Sequence, residues 1–245
     1  FKYRFISPHS MEIKKAVILA GGMGTRLRPI TYEIPKALIP IHGRTMTEHL
    51  FDLFKKYGVT DITMAVGHMR EKIMGHYRDG SQFGIHLRYI EETEPLGTAG
   101  PLKKGRAKLK EPFFCSNGDE LKKMDLDEMH RVHKRNKALV TIALWQVEDP
   151  SHYGVARIEG EKILEFVEKP KKEEAPSNYI NSGFYIIEPE VIDMIPDGFS
   201  MLEKDVFPKL AKMGRLYGYP FKGQWVDTGT MERYERAIKE WVDIE

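Results

Sequence analysis

Gly21, Gly22 and Gly24, followed by Arg26 and then Lys36, share the short stretch LAGGMGTRLRPITYEIPKALIP (19–40), which continues the apolar run AVILA (16–20). Glycines carry no Cβ, so their backbone N–H groups can approach an anion that side chains would hold off. An arginine and a lysine on the same loop add more positive charge than a helix N-terminus supplies alone. That combination suits a polyphosphate. Two familiar glycine motifs do not fit: GxGxxG would need glycine where Leu27 stands, and a phosphate loop ending in Gly-Lys-Ser/Thr is absent. The glycines alone would serve equally as a turn flanked by solvated basic residues.

Other residues carry chemistry less plainly. Asp119 closes the run PFFCSNGD (112–119) and Asp227 lies in WVDTG (225–229); an aspartate ending a strand is more often a turn or cap residue than a ligand. Glu168 and Lys169 precede the charged run KKEE and by themselves read as a solvated strand end. His130 and His133 have zinc-compatible helical spacing but no third ligand nearby, so surface placement is expected. Tyr153, Phe166, Phe184, Tyr185 and Trp225 read as core or pocket wall. Cys115 is the single cysteine, which excludes an internal disulfide and multi-cysteine metal sites.

Elements must position these groups. The 245 residues suffice for one large domain, and 41% of them are apolar and 30% charged. A formal net charge of +2 gives no case for a nucleic-acid partner. No apolar run is long enough to span a bilayer, so no membrane partner and a cytoplasmic location are expected, with homo-oligomerisation left open. FKYRFISPHS (1–10) differs in composition from the rest of the chain and reads either as a native N-terminal extension or as an added remnant. From Met11 on, AVILA, ITMAV (62–66), LRYIEE (87–92), PFFCSNGD and LVTIALWQV (139–147) read as strands. Between them 46–58, 71–80, 97–109 and 125–136 have helical spacing. This alternation predicts a Rossmann-like α/β domain, a mostly parallel sheet flanked by helices. The second half predicts an elaborated lobe: a hairpin in GVARIEGEKILEFVEKP, a strand in INSGFYIIEP, helices near 189–195 and 201–213, two strands in LYGYPFKGQWVDTG, and a closing amphipathic helix.

GGMGTRLRPIT followed by PKALIPIHG resembles the first motif of the sugar-phosphate nucleotidyltransferases, or nucleotide-sugar pyrophosphorylases. The resemblance recurs in order along 11–245, one nucleotidyltransferase domain: EPLGTAG (94–100), NGD (117–119), YGV (153–155), VEKP (167–170), NSG (181–183), EKDVFP (203–208) and WVDTG. Each motif alone is weak and the ordered series is strong. Ala37 and Thr45 replace prolines common in relatives, and Glu120 adds a carboxylate directly after Asp119. The chain ends soon after WVDTG, so no C-terminal left-handed β-helix is expected.

The resemblance implies joining a nucleoside triphosphate and a sugar 1-phosphate into a nucleoside-diphosphate sugar plus pyrophosphate. It implies Mg²⁺ as cofactor, held by Asp119 and Asp227. Leu19, Ala20, Gly21, Gly22, Gly24, Thr25, Arg26, Gly97 and Thr98 would bind the nucleotide, and Arg26, Lys36 and Lys169 would carry the catalytic charge. Gly154, Glu168, Lys169 and Asn181 would hold the sugar phosphate. EPLGTAGPL resembles guanylyltransferases acting on mannose 1-phosphate or a manno-heptose 1-phosphate. DGSQFGI (79–85) and WVDTGT resemble thymidylyltransferases acting on glucose 1-phosphate. The base-facing segment bears more directly on the nucleotide, so GTP and mannose 1-phosphate are the expected pair, with dTTP or UTP and glucose 1-phosphate the alternative. A catalytically silent subunit of the same fold would have lost an aspartate or the lysine, and none is lost.

Overall fold

The computed structural model describes residues 11–242; the extension 1–10 lies outside the described residues. The first half contains β1 (Lys15–Ala20), β2 (Pro40–Ile41), β3 (Arg44–Thr45), α1 (Met46–Lys56), β4 (Asp61–Val66), α2 (Arg70–Tyr77), β5 (His86–Glu91), α3 (Gly100–Lys104), β6 (Phe113–Asn117), β7 (Glu120–Lys123) and α4 (Leu126–Arg135). The second half adds β8 (Val140–Gln146), β9 (Gly154–Glu159), β10 (Lys162–Glu168), β11 (Tyr179–Ile187), α5 (Phe207–Lys212), β12 (Leu216–Pro220), β13 (Gln224–Asp227) and α6 (Met231–Glu240).

One nine-stranded sheet runs β5-β4-β1-β6-β11-β8-β12-β10-β9. The α/β class and the helix-flanked sheet are as the sequence predicts. Parallel pairing holds along β5-β4-β1-β6, the Rossmann-like part. Beyond β6 the sheet is mixed: β11 runs antiparallel to β6 and β8, β12 is parallel to β8, and the β9–β10 hairpin is antiparallel. Hairpins and direct returns in the second lobe replace the helical crossovers that parallel pairing requires.

Local chemistry explains several elements. Thr45 caps α1 by accepting the Glu48 N–H at 3.2 Å, and Lys55 and Lys56 meet the C-terminal dipole. The Thr45 hydroxyl also lies 2.6 Å from the Tyr77 hydroxyl, which donates to the Ala37 carbonyl at 3.0 Å. Both departures from the family's prolines therefore sit in one buried hydrogen-bond chain that locks the end of the glycine loop to α1 and α2. The 97–109 segment forms only the short α3, and 189–195 is a 3₁₀ turn (Pro189–Met194) with Pro189 at its start. His133 is buried, not on the surface: its ring meets the Thr141 hydroxyl at 2.8 Å and a Glu188 carboxylate oxygen at 3.1 Å. The charged neighbours on α4 are exposed or half-buried, while His133 lies on the buried face with Leu126, Met129 and Val132.

Apolar clusters cover both faces of the sheet. A smaller third core joins Leu27, Ile39, Ile41, Met46, Leu121, Val226, Ala237 and Trp241. It binds the glycine loop to the ribbon β7–β13 and to α6. Among the described residues no helix is long and apolar enough to cross a membrane.

Thr45→Ala should lower stability by about 1–2 kcal/mol, because it removes an N-cap and a buried hydrogen bond together. Thr45→Ser keeps both groups and should recover most of that loss. Chemical denaturation midpoints of the two variants check the difference.

Candidate active site

The carboxyl ends of parallel strands are where open α/β sheets bind ligands. Here a cleft of about 340 Å³ opens there, lined by Leu19, Ala20, Gly21, Gly22, Lys36, Leu96, Gly97, Thr98, Asn117 and Asp119, with Glu92 and Phe199 also on its wall. The glycine loop leaves β1 and folds through 3₁₀ turns at Thr25–Leu27, Ile30–Tyr32 and Lys36–Leu38. Gly24 does not line the cleft; its φ of +62° starts the turn, and its carbonyl accepts the Thr31 hydroxyl at 2.8 Å. Leu27, where a dinucleotide motif would need glycine, is fully buried in the third core. Arg26 beside it is exposed, and one guanidinium nitrogen lies 3.2 Å from where a Cβ on Gly229 would stand.

Two adjacent chain segments bring the aspartates together. In the β7–β13 ribbon Asp227 pairs with Glu120, so Asp119 and Asp227 flank the same ribbon end. Thr228 seals this end by donating its hydroxyl to the Asp119 carbonyl at 2.6 Å. Lys36 donates to Asp119 Oδ2 at 2.6 Å across the mouth of the cleft. Burial would raise the Asp119 carboxyl, but Lys36, with Lys122 and Arg26 behind it, holds it below the ordinary range. Asp227 accepts the Gly229 N–H at 2.6 Å, the Tyr153 hydroxyl at 3.1 Å and the Arg233 guanidinium. Glu120 is met by Lys122 at 3.2 Å and by the Trp225 indole N–H at 3.2 Å. Burial, opposed by Lys122 and reinforced by Asp119 and Asp227, pushes the Glu120 carboxyl up to about 7.

These carboxylates suit a hard cation. Among the described residues no group of three or more potential ligands forms a cage, yet Mg²⁺ keeps several waters and takes only one or two protein carboxylates beside substrate phosphates. Asp119 and Asp227 are oxygen donors at one ribbon end that already attract Lys36 and Arg233, and they fit that role.

The expected sugar side reaches the ribbon through contacts. Tyr153 stacks edge-on against Trp225 at 5.5 Å, and its carbonyl accepts the Lys169 N–H at 3.0 Å. Lys169 holds a left-handed backbone, φ +49°, uncommon for a residue with a Cβ, and its ammonium pairs with Glu168 at 3.2 Å. Gly154 permits that arrangement, since a Cβ there would lie 2.5 Å from Phe166 and 2.9 Å from Glu168 Oε2. Asn181 is buried with its amide engaged: it accepts from the Gly183 N–H and donates to the Tyr185 hydroxyl, each at 2.9 Å. The register of β11 against β8 shifts between Asn181 and Tyr185, a bulge that turns Gly183 toward Asn117 and Glu120.

The Gly97–Gly100 segment docks on 198–203. Gly97 has φ +76°, and a Cβ there would lie 2.3 Å from the Ser200 carbonyl oxygen. Thr98 donates to Glu203 Oε2 at 2.6 Å and accepts the Leu202 N–H at 2.9 Å, which links EPLGTAG to EKDVFP. Sequence reasoning missed Glu92, Asn117, Phe199 and Arg233. Glu92 ends a predicted strand, and nothing in its neighbourhood marks it as facing the cleft.

Comparison with known proteins places this geometry. The Nucleotidyl transferase family model matches residues 15–243, and the chain belongs to that family. It is 40% identical over 221 residues to "Mannose-1-phosphate guanyltransferase beta-A" of Xenopus laevis, covering 88% of this chain and 61% of the relative. It is 37% identical over 236 residues to "Mannose-1-phosphate guanylyltransferase 1" of Arabidopsis thaliana, covering 94% and 65%. The chain thus spans about two thirds or less of the length of these relatives. Among solved structures, a UDP-glucose pyrophosphorylase complexed with UDP-glucose superposes with a TM-score of 0.81 at 26% identity, covering 93% of this chain and 97% of that one.

The glycines separate by environment. Among the described residues, its chain neighbours aside, nothing lies within 4 Å of a Cβ built on Gly22, so Gly22→Ala should leave stability within about 0.5 kcal/mol. Gly97→Ala meets both the left-handed φ and Ser200, and should cost at least about 1 kcal/mol. Thermal unfolding of the pair checks the ranking.

Proposed function

We propose that this chain is a Mg²⁺-dependent sugar-1-phosphate nucleotidyltransferase that uses GTP and mannose 1-phosphate to make GDP-mannose and pyrophosphate. The observation that carries the proposal is the meeting of Lys36 and Asp119 over the cleft floored by Gly21 and Gly22. A cation, a carboxylate suited to a hard metal ion and glycine backbone N–H groups at one strand end are what a triphosphate needs. The guanylyltransferase names of the two sequence relatives support the choice of substrates. The likeness to a UDP-glucose pyrophosphorylase favours UTP and glucose 1-phosphate as the second reading.

The chemistry follows from charge. An oxygen of the sugar 1-phosphate attacks the α-phosphorus while the bond to the bridging oxygen breaks and pyrophosphate departs. Both reactants are anions, so catalysis consists of positioning and neutralisation rather than a covalent enzyme intermediate. Gly21 and Gly22 present backbone N–H groups to the triphosphate. Arg26 and Lys36 neutralise its outer phosphates and the departing pyrophosphate. Lys169 grips the acceptor phosphate, with Glu168 and Asn181 around the sugar. Asp119 and Asp227 would hold Mg²⁺, which supplies charge neutralisation at the reacting phosphates when bound.

Asp119→Asn and Asp227→Asn should each lower turnover by at least ~10²-fold, the scale of losing a preorganised charge stabiliser. Near-normal rates in EDTA would overturn the metal assignment. Lys169→Ala should raise KM for the sugar 1-phosphate far more than for the triphosphate, and an equal rise for both would remove it from the acceptor site. A pyrophosphate-release assay across four nucleoside triphosphates and a set of hexose 1-phosphates tests the substrates. GTP with mannose 1-phosphate should give the highest kcat/KM, and a tenfold lead for UTP or dTTP with glucose 1-phosphate would replace it.

A further inference from the structure

Arg233 lies in the first turn of α6, where its backbone N–H donates to the Thr230 hydroxyl at 3.3 Å. A cation at this position opposes the helix dipole, which favours acids at an N-terminus. The placement of Arg233 is therefore explained by what its side chain meets and not by the helix. Its guanidinium donates through Nη1 to Asp227 Oδ2, and its central carbon sits 5.3 Å from the centre of the Tyr153 ring. The Tyr153 hydroxyl donates to the same oxygen at 3.1 Å, while Oδ1 accepts the Gly229 N–H at 2.6 Å. The Arg233 and Asp227 side chains are 18% and 10% exposed, so the pair is largely removed from water. Two other charged groups stand near: Glu120, opposite Asp227 in the ribbon and held by Lys122 at 3.2 Å, and Arg26 beside Gly229.

A carboxylate oxygen offers two lone pairs, and at Oδ2 both are in use. A divalent cation can take Oδ2 only by displacing a donor, and of the two donors the positive guanidinium is the one it repels. We infer that Arg233 is a stand-in for the divalent cation at Asp227: it neutralises this buried carboxylate while no metal is bound and withdraws when one arrives. A buried carboxylate stripped of its only close cation is costly, and the exchange keeps Asp227 paired before and after. Withdrawal needs little rearrangement, because the side chain is partly open to solvent and the Tyr153 ring face already attracts it. The two cations compete, so Arg233 weakens binding of the bare ion, and the charge of an incoming triphosphate favours the exchange. This inference rests on the proposed metal role of Asp227 and adds what opposes the metal there.

The test reads binding of Mn²⁺ alone by paramagnetic resonance, and thermal unfolding with and without millimolar Mg²⁺, with no substrate present. Arg233→Met removes the charge and keeps much of the length, and Arg233→Lys keeps the charge. Arg236→Met, at an exposed position on the same helix, controls for net charge. Arg233→Met should bind Mn²⁺ at least about tenfold more tightly than the parent chain, within the usual range for linked equilibria. Without metal it should melt below the parent, and Mg²⁺ should raise its melting temperature more than the parent's. Arg233→Lys and Arg236→Met should respond to both ions as the parent does. If Arg233→Met does not fold without metal, Mg²⁺ should restore its folding, and a chain that stays unfolded overturns the inference. Equal Mn²⁺ binding by the parent and Arg233→Met overturns it, as does an equal gain in Arg236→Met. If EDTA abolishes turnover of the parent while those affinities are equal, only the stand-in role is lost; near-normal turnover in EDTA removes the metal assignment itself.

Discussion

Three carboxylates crowd the end of one two-stranded ribbon, and the rest of the site is arranged to make that tolerable. Charges removed from water cost several kcal/mol each unless they are paired and hydrogen-bonded. Asp119 is matched by Lys36, Glu120 by Lys122, and Asp227 by Arg233, and each cation comes from a different part of the chain. Lys122 is fully buried in order to reach Glu120. The same arrangement that neutralises the carboxylates gathers positive charge beside a cleft suited to phosphates.

Rigidity comes from the small third core. Leu27 anchors the turn that carries Arg26, Ile39 follows Lys36, and Leu121 and Val226 lie next to Glu120 and Asp227. Strand alternation places one neighbour inward and the other toward the site, so packing of the apolar partner fixes the charged one. The Thr45, Tyr77 and Ala37 hydrogen-bond chain holds the far end of the same loop.

Glycines serve close packing as much as anion binding. Gly21 makes room for Glu92, Gly97 for Ser200, Gly154 for Phe166 and Glu168, and Gly183 for Asn117 and Glu120. Each lies in a different motif, and each lets two motifs touch. The bulge at Asn181–Tyr185 has the same effect by breaking the register of β11 where it passes the site.

The sequence by itself determined what is local. Strand runs, the hairpin around Gly160, the helices of 46–58 and 125–136, the closing helix and the ordered motifs were all legible, because propensity and turn chemistry act over a few residues. The side-chain caps at Thr45, Asp125 and Thr230 emerged only in the structure. Which candidate residues meet was not legible. Lys36 finds Asp119 across 83 positions and Thr228 finds Asp119 across 109, pairings that only long-range packing sets. The mixed half of the sheet, the inward turn of His133 and the exposure of Glu92 to the cleft belong to the same class. None alters the local pattern, since a glutamate ending a strand has the same sequence signature whether it faces solvent or a ligand. The face it presents is chosen by the neighbouring strand order, and the tertiary structure alone decides that.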